Sequence, residues 1–287
     1  MSDVFNEQQR QFLQLLGLAV PGDLPSELAA SIQPTPLTPS EQKFRLPAQE
    51  SHTNTLQKPV EPSSTDLVAP VASATLLESE KTTAPMPELA EATIDPQRLI
   101  RISILDWRDL QIMVHDCQAC PLGQTRQHTV FGAGNPRGTW LFVGEAPGAE
   151  EDRRGEAFVG RGGQLLDNML KAMGLSRERE VYIANILKCR PPNNRDPLGP
   201  EVHACVPFLQ RQIALQQPRI IVALGRFAAQ GLLQVNTPLG QLRGKTHFYQ
   251  ETPLVVTYHP AYLLRSPLEK RKVWEDLKLA MRVFADL

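Results

Sequence analysis

The stretch Trp140-Leu-Phe-Val-Gly-Glu-Ala-Pro-Gly148 joins an apolar run to a turn that contains two glycines and a proline. An apolar run of this length that stops at such a turn predicts a buried β-strand over residues 140–143. Further strands are predicted at residues 181–186, 219–224 and 254–258, and helices at 106–117, 163–173, 201–217, 227–233 and 269–285. Because strands alternate with helices, we predict an α/β fold with three layers, αβα, around a central, mostly parallel sheet of four strands.

Polar residues follow the predicted strands at the ends where a parallel sheet binds its ligands. Glu145 comes two residues after the first strand, Asn185 lies at the end of the second, and His259 follows the fourth. We therefore expect a carboxylate, an amide and an imidazole to share one crevice. Glycines within residues 160–163 would let a phosphate approach a helix N-terminus, but the spacings of the Walker loop and of the dinucleotide fingerprint are missing.

Four cysteines are spaced in a way that predicts a metal site: Cys117, Cys120, Cys189 and Cys205. The first residues lack the basic and apolar regions of a signal peptide, so we expect a reducing, cytoplasmic compartment, where clustered cysteines favour a metal over disulfides. Free structural thiols and redox or disulfide chemistry are the alternatives. The spacing leaves the metal open, because zinc knuckles usually pair two short C-x2-C motifs and irregular spacing also suits an iron-sulfur cluster.

Composition changes near Asp95 and divides the chain into two regions. Residues 1–95 are rich in proline, threonine, serine and alanine, contain no Trp, Tyr or Cys, and carry five basic against thirteen acidic residues. We predict that this region is disordered, apart from a short helix at residues 3–18. Residues 96–287 carry 25 basic against 18 acidic residues, and a basic domain suits a phosphate-rich partner. No apolar run is long enough to predict a membrane span.

Five motifs occur in a fixed order: the C-x2-C pair at 117–120, GEAPG at 144–148, FVGRGGQLL at 158–166, NILKCRPPNNR at 185–195 and HPAYLLR at 259–265. Together with Cys205, this set resembles the iron-sulfur (family four) uracil-DNA glycosylases over residues 104–287. The resemblance implies a catalytic domain at residues 96–287 that flips uracil out of DNA and hydrolyses its N-glycosidic bond, which leaves an abasic site in base-excision repair. It also implies a [4Fe-4S] cluster on Cys117, Cys120, Cys189 and Cys205.

The resemblance assigns base recognition to four residues. Phe158 is expected to stack on the flipped uracil. Asn185 is expected to donate to uracil O4 and to accept from N3–H, an edge on which cytosine presents the opposite pattern. Glu151 is expected to exclude the methyl group of thymine. Ala146 lies in the same pocket loop, at a place where some family members have Gly.

The resemblance also assigns the chemistry to two residues. His259 is expected to donate a hydrogen bond to uracil O2, where negative charge develops as the base leaves. Glu145 is expected to orient water and to favour the cationic character of the sugar in the transition state. We expect a monofunctional glycosylase that uses water as its nucleophile.

Two further sets of residues are expected to hold the DNA, single- or double-stranded. The phosphate contacts implied by the resemblance are Arg161, Lys188, Arg190 and Arg195. The wedge that fills the space left by the flipped nucleotide is implied to be Leu263, Leu264 and Arg265. We expect a monomer without membrane contact that acts at the nucleoid, with residues 1–95 available to a protein partner.

Two other functions fit the same residues. A nucleic-acid-binding module without catalytic activity would keep the iron-sulfur cluster as a structural cross-link. A zinc-dependent nucleotide hydrolase or transferase would use the same acidic loop and histidine. Cleavage of uracil-containing oligonucleotides separates the first from a glycosylase, and metal analysis separates the second.

Overall fold

The structure is a computed structural model and describes residues 95–287. The short helix predicted at residues 3–18, and the rest of the region before Asp95, lie outside the described residues. Among the helices that are described, none is both long enough and apolar enough to cross a membrane.

A six-stranded mixed sheet forms the centre of the described region, with the strand order β1-β3-β2-β4-β6-β5. The strands are β1 Ala133–Gly134, β2 Trp140–Gly144, β3 Val181–Asn185, β4 Ile220–Leu224, β5 Thr246–Tyr249 and β6 Thr252–Thr257. The four inner strands β3, β2, β4 and β6 run parallel, and β1 and β5 pair antiparallel at the two edges. The predicted parallel core is confirmed, but the predicted total of four strands is wrong.

Both added strands carry a weak sequence signal. Strand β1 has only two residues, which is too short for any alternation to appear. Strand β5 precedes β6 by a two-residue turn in which Gln250 has a φ of 51°. Neither Gly nor Asn occupies that left-handed position, so the usual hairpin signal is missing.

Helices cover both faces of the sheet: α1 Pro96–Ile104, α2 Trp107–His115, α3 Leu122–Thr125, α4 Ala149–Arg154, α5 Arg161–Ala172, α6 Gly199–Gln216, α7 Arg226–Leu233, α8 Leu239–Leu242, α9 Pro260–Leu263 and α10 Lys270–Ala285. Single 3-10 turns occur at Pro192–Asn194 and Pro267–Glu269. The predicted helices correspond to α2, α5, α6, α7 and α10. The sequence did not predict α1 or the four helices of six residues or fewer.

Strand β2 shows how the layers pack. Leu141 and Val143 point into a core that they share with α1, α2, α6 and α7, whereas Trp140 and Phe142 point into a second core with α5 and α10. All four side chains are buried. Successive strand residues point to opposite faces, so a strand without polar residues requires cover on both sides. The predicted three-layer αβα arrangement is therefore confirmed.

The parallel register brings the C-terminal ends of the inner strands together at one end of the sheet. Gly144, the last residue of β2, is paired with Asn185, the last residue of β3. Leu224 at the end of β4 is paired with Thr257 at the end of β6. The segments that follow these strands are the ones that carry the candidate site residues.

Candidate active site

Phe158, Asn185 and His259 form one contiguous group at the C-terminal ends of the inner strands. A side-chain carbon placed on Gly144 would lie 2.4 Å from Asn185 Oδ1 and 2.7 Å from Phe158 Cζ, so only glycine leaves room for both. On its other side, the Phe158 ring packs against the His259 imidazole, with the ring centroids 5.5 Å apart. Three segments that are distant in the sequence thus supply an aromatic face, an amide and an imidazole to one place.

Asn185 carries an acceptor atom that the protein does not satisfy. The residue is 1% exposed, and its Oδ1 is buried without a hydrogen-bond partner among the described residues. A buried acceptor of this kind costs about 1–3 kcal/mol unless something donates to it. The site is therefore suited to a ligand that brings an N–H or O–H group.

His259 is held as a neutral donor. It follows β6 and caps α9, where the backbone N–H of Ala261 donates to its Nδ1 over 3.1 Å. Because Nδ1 accepts, the proton of the neutral ring is on Nε2. Burial, and secondarily the positive charge of Arg265, lower the pKa of His259 to about 4. Near neutral pH the imidazole is uncharged and can donate from Nε2.

The backbone of Phe158 is strained and fixed from two sides. Its φ of 55° is unusual for a bulky residue. Glu151 Oε1 accepts from the N–H groups of Val159 and Gly160, at 2.9 and 2.8 Å. Arg177 donates to the carbonyl of Phe158 over 2.7 Å, and to the preceding carbonyl over 2.9 Å. Strain that persists under such restraint is typical of functional sites.

The contacts of Glu151 give it a positioning role that the sequence did not predict. Its Oε1 holds the loop behind Phe158, and its Oε2 would lie 2.7 Å from a side-chain carbon on Gly148. Its role beside the C5 edge of a base stays a prediction. Ala146 lies nearby in the chain, partly exposed, and packs against the core that contains α2 and α6.

Glu145 is a carboxyl group with a raised proton affinity. Burial, followed by the negative charge of Asp196, raises its pKa to about 7, and the positive charge of Arg226 opposes this shift. Asp196 and Arg226 themselves form an ion pair of 3.0 Å. A carboxyl group with this pKa can exchange a proton near neutral pH.

All four cysteines line a single small cavity. Three hydrogen-bond donors point at their sulfurs: Arg126 Nη1 to Cys189 at 3.3 Å, the Lys188 N–H to Cys205 at 3.2 Å, and Arg98 Nη2 to Cys117 at 3.9 Å.

Burial raises the pKa of Cys189 to about 11 and that of Cys205 to about 12, so these thiols ionise only when a cation or metal compensates their charge. Within residues 95–287, no three His, Cys, Asp or Glu side chains converge on a point that one metal ion would occupy. Cationic groups around four thiols are the chemistry expected for anionic sulfur ligands.

Comparison with known proteins agrees with this geometry. The profile of the Uracil DNA glycosylase superfamily matches residues 131–278. A type-4 uracil-DNA glycosylase of Archaeoglobus fulgidus is 42% identical over 178 residues, which are 59% of this chain and 89% of the relative. Type-4 enzymes of Pyrobaculum aerophilum and Thermotoga maritima are 40% and 43% identical, over 61% and 58% of this chain and 93% and 88% of theirs.

The chain belongs to the uracil-DNA glycosylase superfamily, and within it to the type-4 family.

The superfamily match contains Phe158, Asn185 and His259 but begins after Cys117 and Cys120. The longer alignments with type-4 members extend beyond the residues that the superfamily profile covers. The resemblance predicted from the ordered motifs is therefore confirmed at the level of the family.

Four predicted DNA contacts of this family member lie at the surface. Arg161 is the exposed first residue of α5, and Arg190 donates to Asn194 Oδ1 over 2.7 Å. Leu264, 42% exposed, and Arg265 lie at the surface directly after α9. Their contacts with DNA stay predictions.

Two predicted DNA contacts are wrong. Lys188 is 1% exposed and points into the protein, so it cannot reach a phosphate. Leu263 is also 1% exposed and belongs to the core shared with α5 and α10. Leu263 is the last residue of α9 and faces the core, whereas Leu264, directly after the helix, faces solvent. Arg195 is partly buried in an ion pair with Glu201, which fixes the start of α6, and its phosphate contact stays a prediction.

Sequence reasoning also missed residues that support the site by binding the backbone or sulfur atoms around it. Arg177, Arg126 and Gln212 bind backbone carbonyls or sulfurs of segments far away in the chain. A side chain that contacts a distant backbone group leaves no local spacing pattern. Only the folded chain identifies such residues.

Proposed function

We propose that this chain is a monofunctional uracil-DNA glycosylase, which flips uracil out of DNA and hydrolyses its N-glycosidic bond to leave an abasic site. The observation that carries the proposal is the buried Oδ1 of Asn185, which has no hydrogen-bond partner within residues 95–287 and lies next to the Phe158 ring. Membership of the type-4 family supports it, because the relatives are named as uracil-DNA glycosylases. The same names favour it over a silent binding module or a zinc-dependent nucleotide hydrolase.

Base recognition follows from hydrogen-bond polarity. Uracil presents the N3–H donor and the O4 acceptor, which match the Oδ1 acceptor and the Nδ2 donors of Asn185. Cytosine presents an acceptor at N3 and a donor at N4, so its acceptor would face the Asn185 Oδ1 acceptor and its donor would face the Nδ2 donors. The Phe158 ring offers a stacking surface that compensates for part of the few kcal/mol needed to extrude a base.

Cleavage uses the neutral His259 and the carboxyl group of Glu145. His259 donates from Nε2 to uracil O2 and stabilises the charge that the departing base acquires. Ionised Glu145 orients the attacking water and favours the positive charge that develops on the sugar. Because water is the nucleophile, the product is an abasic site in an intact strand.

We propose that Cys117, Cys120, Cys189 and Cys205 hold a [4Fe-4S] cluster. The surrounding cations support anionic sulfur ligands, and the irregular spacing of the four cysteines suits an iron-sulfur cluster. The cluster would supply a cross-link between distant segments, since hydrolysis transfers no electrons.

The proposed DNA surface consists of Arg161 and Arg190 for the backbone, with Leu264 and Arg265 as the wedge. A DNA substrate implies action at the nucleoid in the cytoplasm. Monomeric action, and the docking of residues 1–95 on a protein partner, belong to the same proposal.

The decisive experiment measures uracil release from single- and double-stranded oligonucleotides with one uracil, followed by alkali to cut abasic sites. Thymine and cytosine oligonucleotides serve as controls. The wild-type protein should produce cuts at uracil alone. The N185D variant should lower uracil release about 100-fold, because a positioned donor is lost. The matched N236D change, in the exposed loop after α7, should have no effect. No cuts by iron-loaded wild-type protein, or equal cuts by N185D, would contradict the proposal.

A further inference from the structure

Lys188 is a buried cation for which the proposed reaction has no use. Its ammonium donates to the backbone carbonyl of Asn185 over 2.8 Å and to Gln212 Oε1 over 2.6 Å. Burying an ammonium group is unfavourable unless hydrogen bonds and nearby negative charge compensate for it. A buried methionine would fill a similar volume without this penalty, so the location of the charge requires a reason.

The backbone of Lys188 contacts the cysteine cavity. Its N–H donates to Cys205 Sγ over 3.2 Å, and the next residue is Cys189. Its carbonyl accepts from Val130 N–H over 2.8 Å. Lys188 therefore contacts a cysteine sulfur through its main chain and the end of β3 through its side chain.

Gln212 provides a fixed anchor for the ammonium. It lies on α6, two turns beyond Cys205, and is fully buried. Its Nε2 donates to the carbonyl of Phe131 over 2.9 Å, so the amide orientation leaves Oε1 facing Lys188. The chain of contacts runs from α6 through Gln212 and Lys188 to Asn185.

The end of β3 depends on this support. Strand β1 pairs with β3 only at Tyr182 and Ile183, so it stops short of Asn185. On the other side Asn185 is paired with Gly144, which has no side chain of its own. Lys188 binds the backbone carbonyl of Asn185, the residue whose side chain is proposed to read uracil.

We propose that Lys188 is a positioning residue, which holds Asn185 in the orientation that uracil requires and couples that orientation to the cysteine loop. This inference rests on the proposed function. Base reading and cluster retention then depend on one short segment, residues 185–189, which contains Lys188. Changing Lys188 should harm catalysis only through Asn185.

A double-mutant cycle tests this dependence. K188M should lower kcat/KM for uracil release roughly 10- to 100-fold, because small misplacements of a substrate-contacting group have effects of this size. N185A should lower it at least as much, and K188M combined with N185A should match N185A alone within about 2-fold. Iron content and visible absorbance, measured on every variant, report cluster retention independently of activity.

Gln216 provides the matched control. It is a second buried glutamine of α6. It donates to the carbonyl of Gly138 over 2.9 Å, just before the N-terminal end of β2. The effects of Q216L and N185A should multiply, as expected for independent sites. Full multiplication of K188M with N185A, or wild-type uracil release by K188M, would overturn the proposal.

A second variant covers the case in which K188M does not fold. Q212L removes only the anchor of the ammonium and should show the same non-additivity with N185A at a smaller loss. Multiplicative behaviour of Q212L would then refute the coupling. Failure of the wild-type protein to release uracil would instead refute the proposed function, so the two failures are distinguishable.

Discussion

At the scale of single residues, the proposed recognition of uracil depends most directly on the side-chain oxygen of Asn185. Its Oδ1 is buried without a hydrogen-bond partner in the described part of the chain, and burying such an acceptor costs about 1–3 kcal/mol. A base with an N–H at that edge recovers this free energy, and a base with an acceptor there does not. If Asn185 reads the base as we propose, this difference would favour uracil over cytosine.

Replacement of His259 tests the proposed donor. H259A should lower the single-turnover rate of uracil release about 100- to 1000-fold, because a positioned donor to the developing charge is lost. Affinity for an oligonucleotide with an uncleavable uracil analogue should change less than about 3-fold, since a donor to developing charge contributes little before the bond breaks. Equal losses in rate and affinity would identify His259 as a structural residue.

The raised pKa of Glu145 predicts a pH effect on stability. With a pKa near 7, folded Glu145 holds a proton that the unfolded chain has already lost above its ordinary, lower pKa. The contribution of Glu145 to stability is therefore present at acidic pH and is lost as pH rises through about 7. E145Q should raise Tm relative to wild type at pH 8 and leave it almost unchanged at pH 5, as measured by thermal unfolding.

The same variant has a kinetic counterpart. If Glu145 orients the attacking water as we propose, uracil release by the wild-type protein should fall as pH drops below about 7, where this carboxyl group gains a proton. E145Q should be slow at every pH and lack this dependence. E251Q, at an exposed position before β6, is the matched control and should keep the wild-type profile.

At the scale of elements, the loop between α4 and α5 is the most constrained part of the site. Gly163 illustrates the tightness, because a side-chain carbon there would lie 1.8 Å from the carbonyl oxygen of Phe158. Glu151 on one side and Arg177 on the other bind the loop backbone. The aromatic face is thereby set before any base arrives, which lowers the entropy lost on binding.

R177M tests the restraint on this loop. Loss of the bonds to two backbone carbonyls should destabilise the fold by about 1–3 kcal/mol and lower kcat/KM through a looser Phe158. Chemical denaturation and steady-state kinetics measure the two effects. R179M, which removes a 71% exposed arginine two residues further on, should change neither. A fully active R177M would show that Phe158 needs no such support.

Sequence patterns revealed the elements whose signals are local. The apolar runs of β2, β3, β4 and β6 and the order of the motifs were sufficient to predict the layers and to bring Phe158, Asn185 and His259 together. They did not reveal which way a side chain turns once a strand has ended. Lys188 and Leu263 therefore appeared as surface residues, although both are buried. Arg177 was missed because two of its partners are backbone carbonyls about twenty positions away.

For the whole molecule, the cysteine cavity joins α2, the segment after β3 and α6. If a cluster cross-links them, its removal by chelation under oxidising conditions should reduce the free energy of unfolding by about 3 kcal/mol, by analogy with a disulfide that closes a long loop. That loss corresponds to a fall in Tm of roughly 6–12 °C for a domain of this size. Calorimetry with parallel iron analysis tests it. An unchanged Tm after complete loss of iron would contradict a structural role.

Charge distribution along the chain predicts a salt effect. Residues 1–95 carry five basic against thirteen acidic residues, whereas residues 96–287 carry 25 against 18. If the acidic region shields the basic domain, deletion of residues 1–94 should steepen the decline of DNA affinity with salt, because more phosphate counterions are released on binding. Titrations of both proteins at several salt concentrations measure the slopes. Equal slopes would rule out shielding.

The place of His259 in the chain has a consequence for biosynthesis. It follows β6, an inner strand that is made after β2, β3 and β4. A nascent chain that has left the ribosome only as far as β4 contains Phe158 and Asn185 but not His259. Strand β4 then also lacks β6, the strand that pairs with it on one side. If His259 is the donor that we propose, translation that stalls before β6 would yield a product that cannot stabilise the departing base.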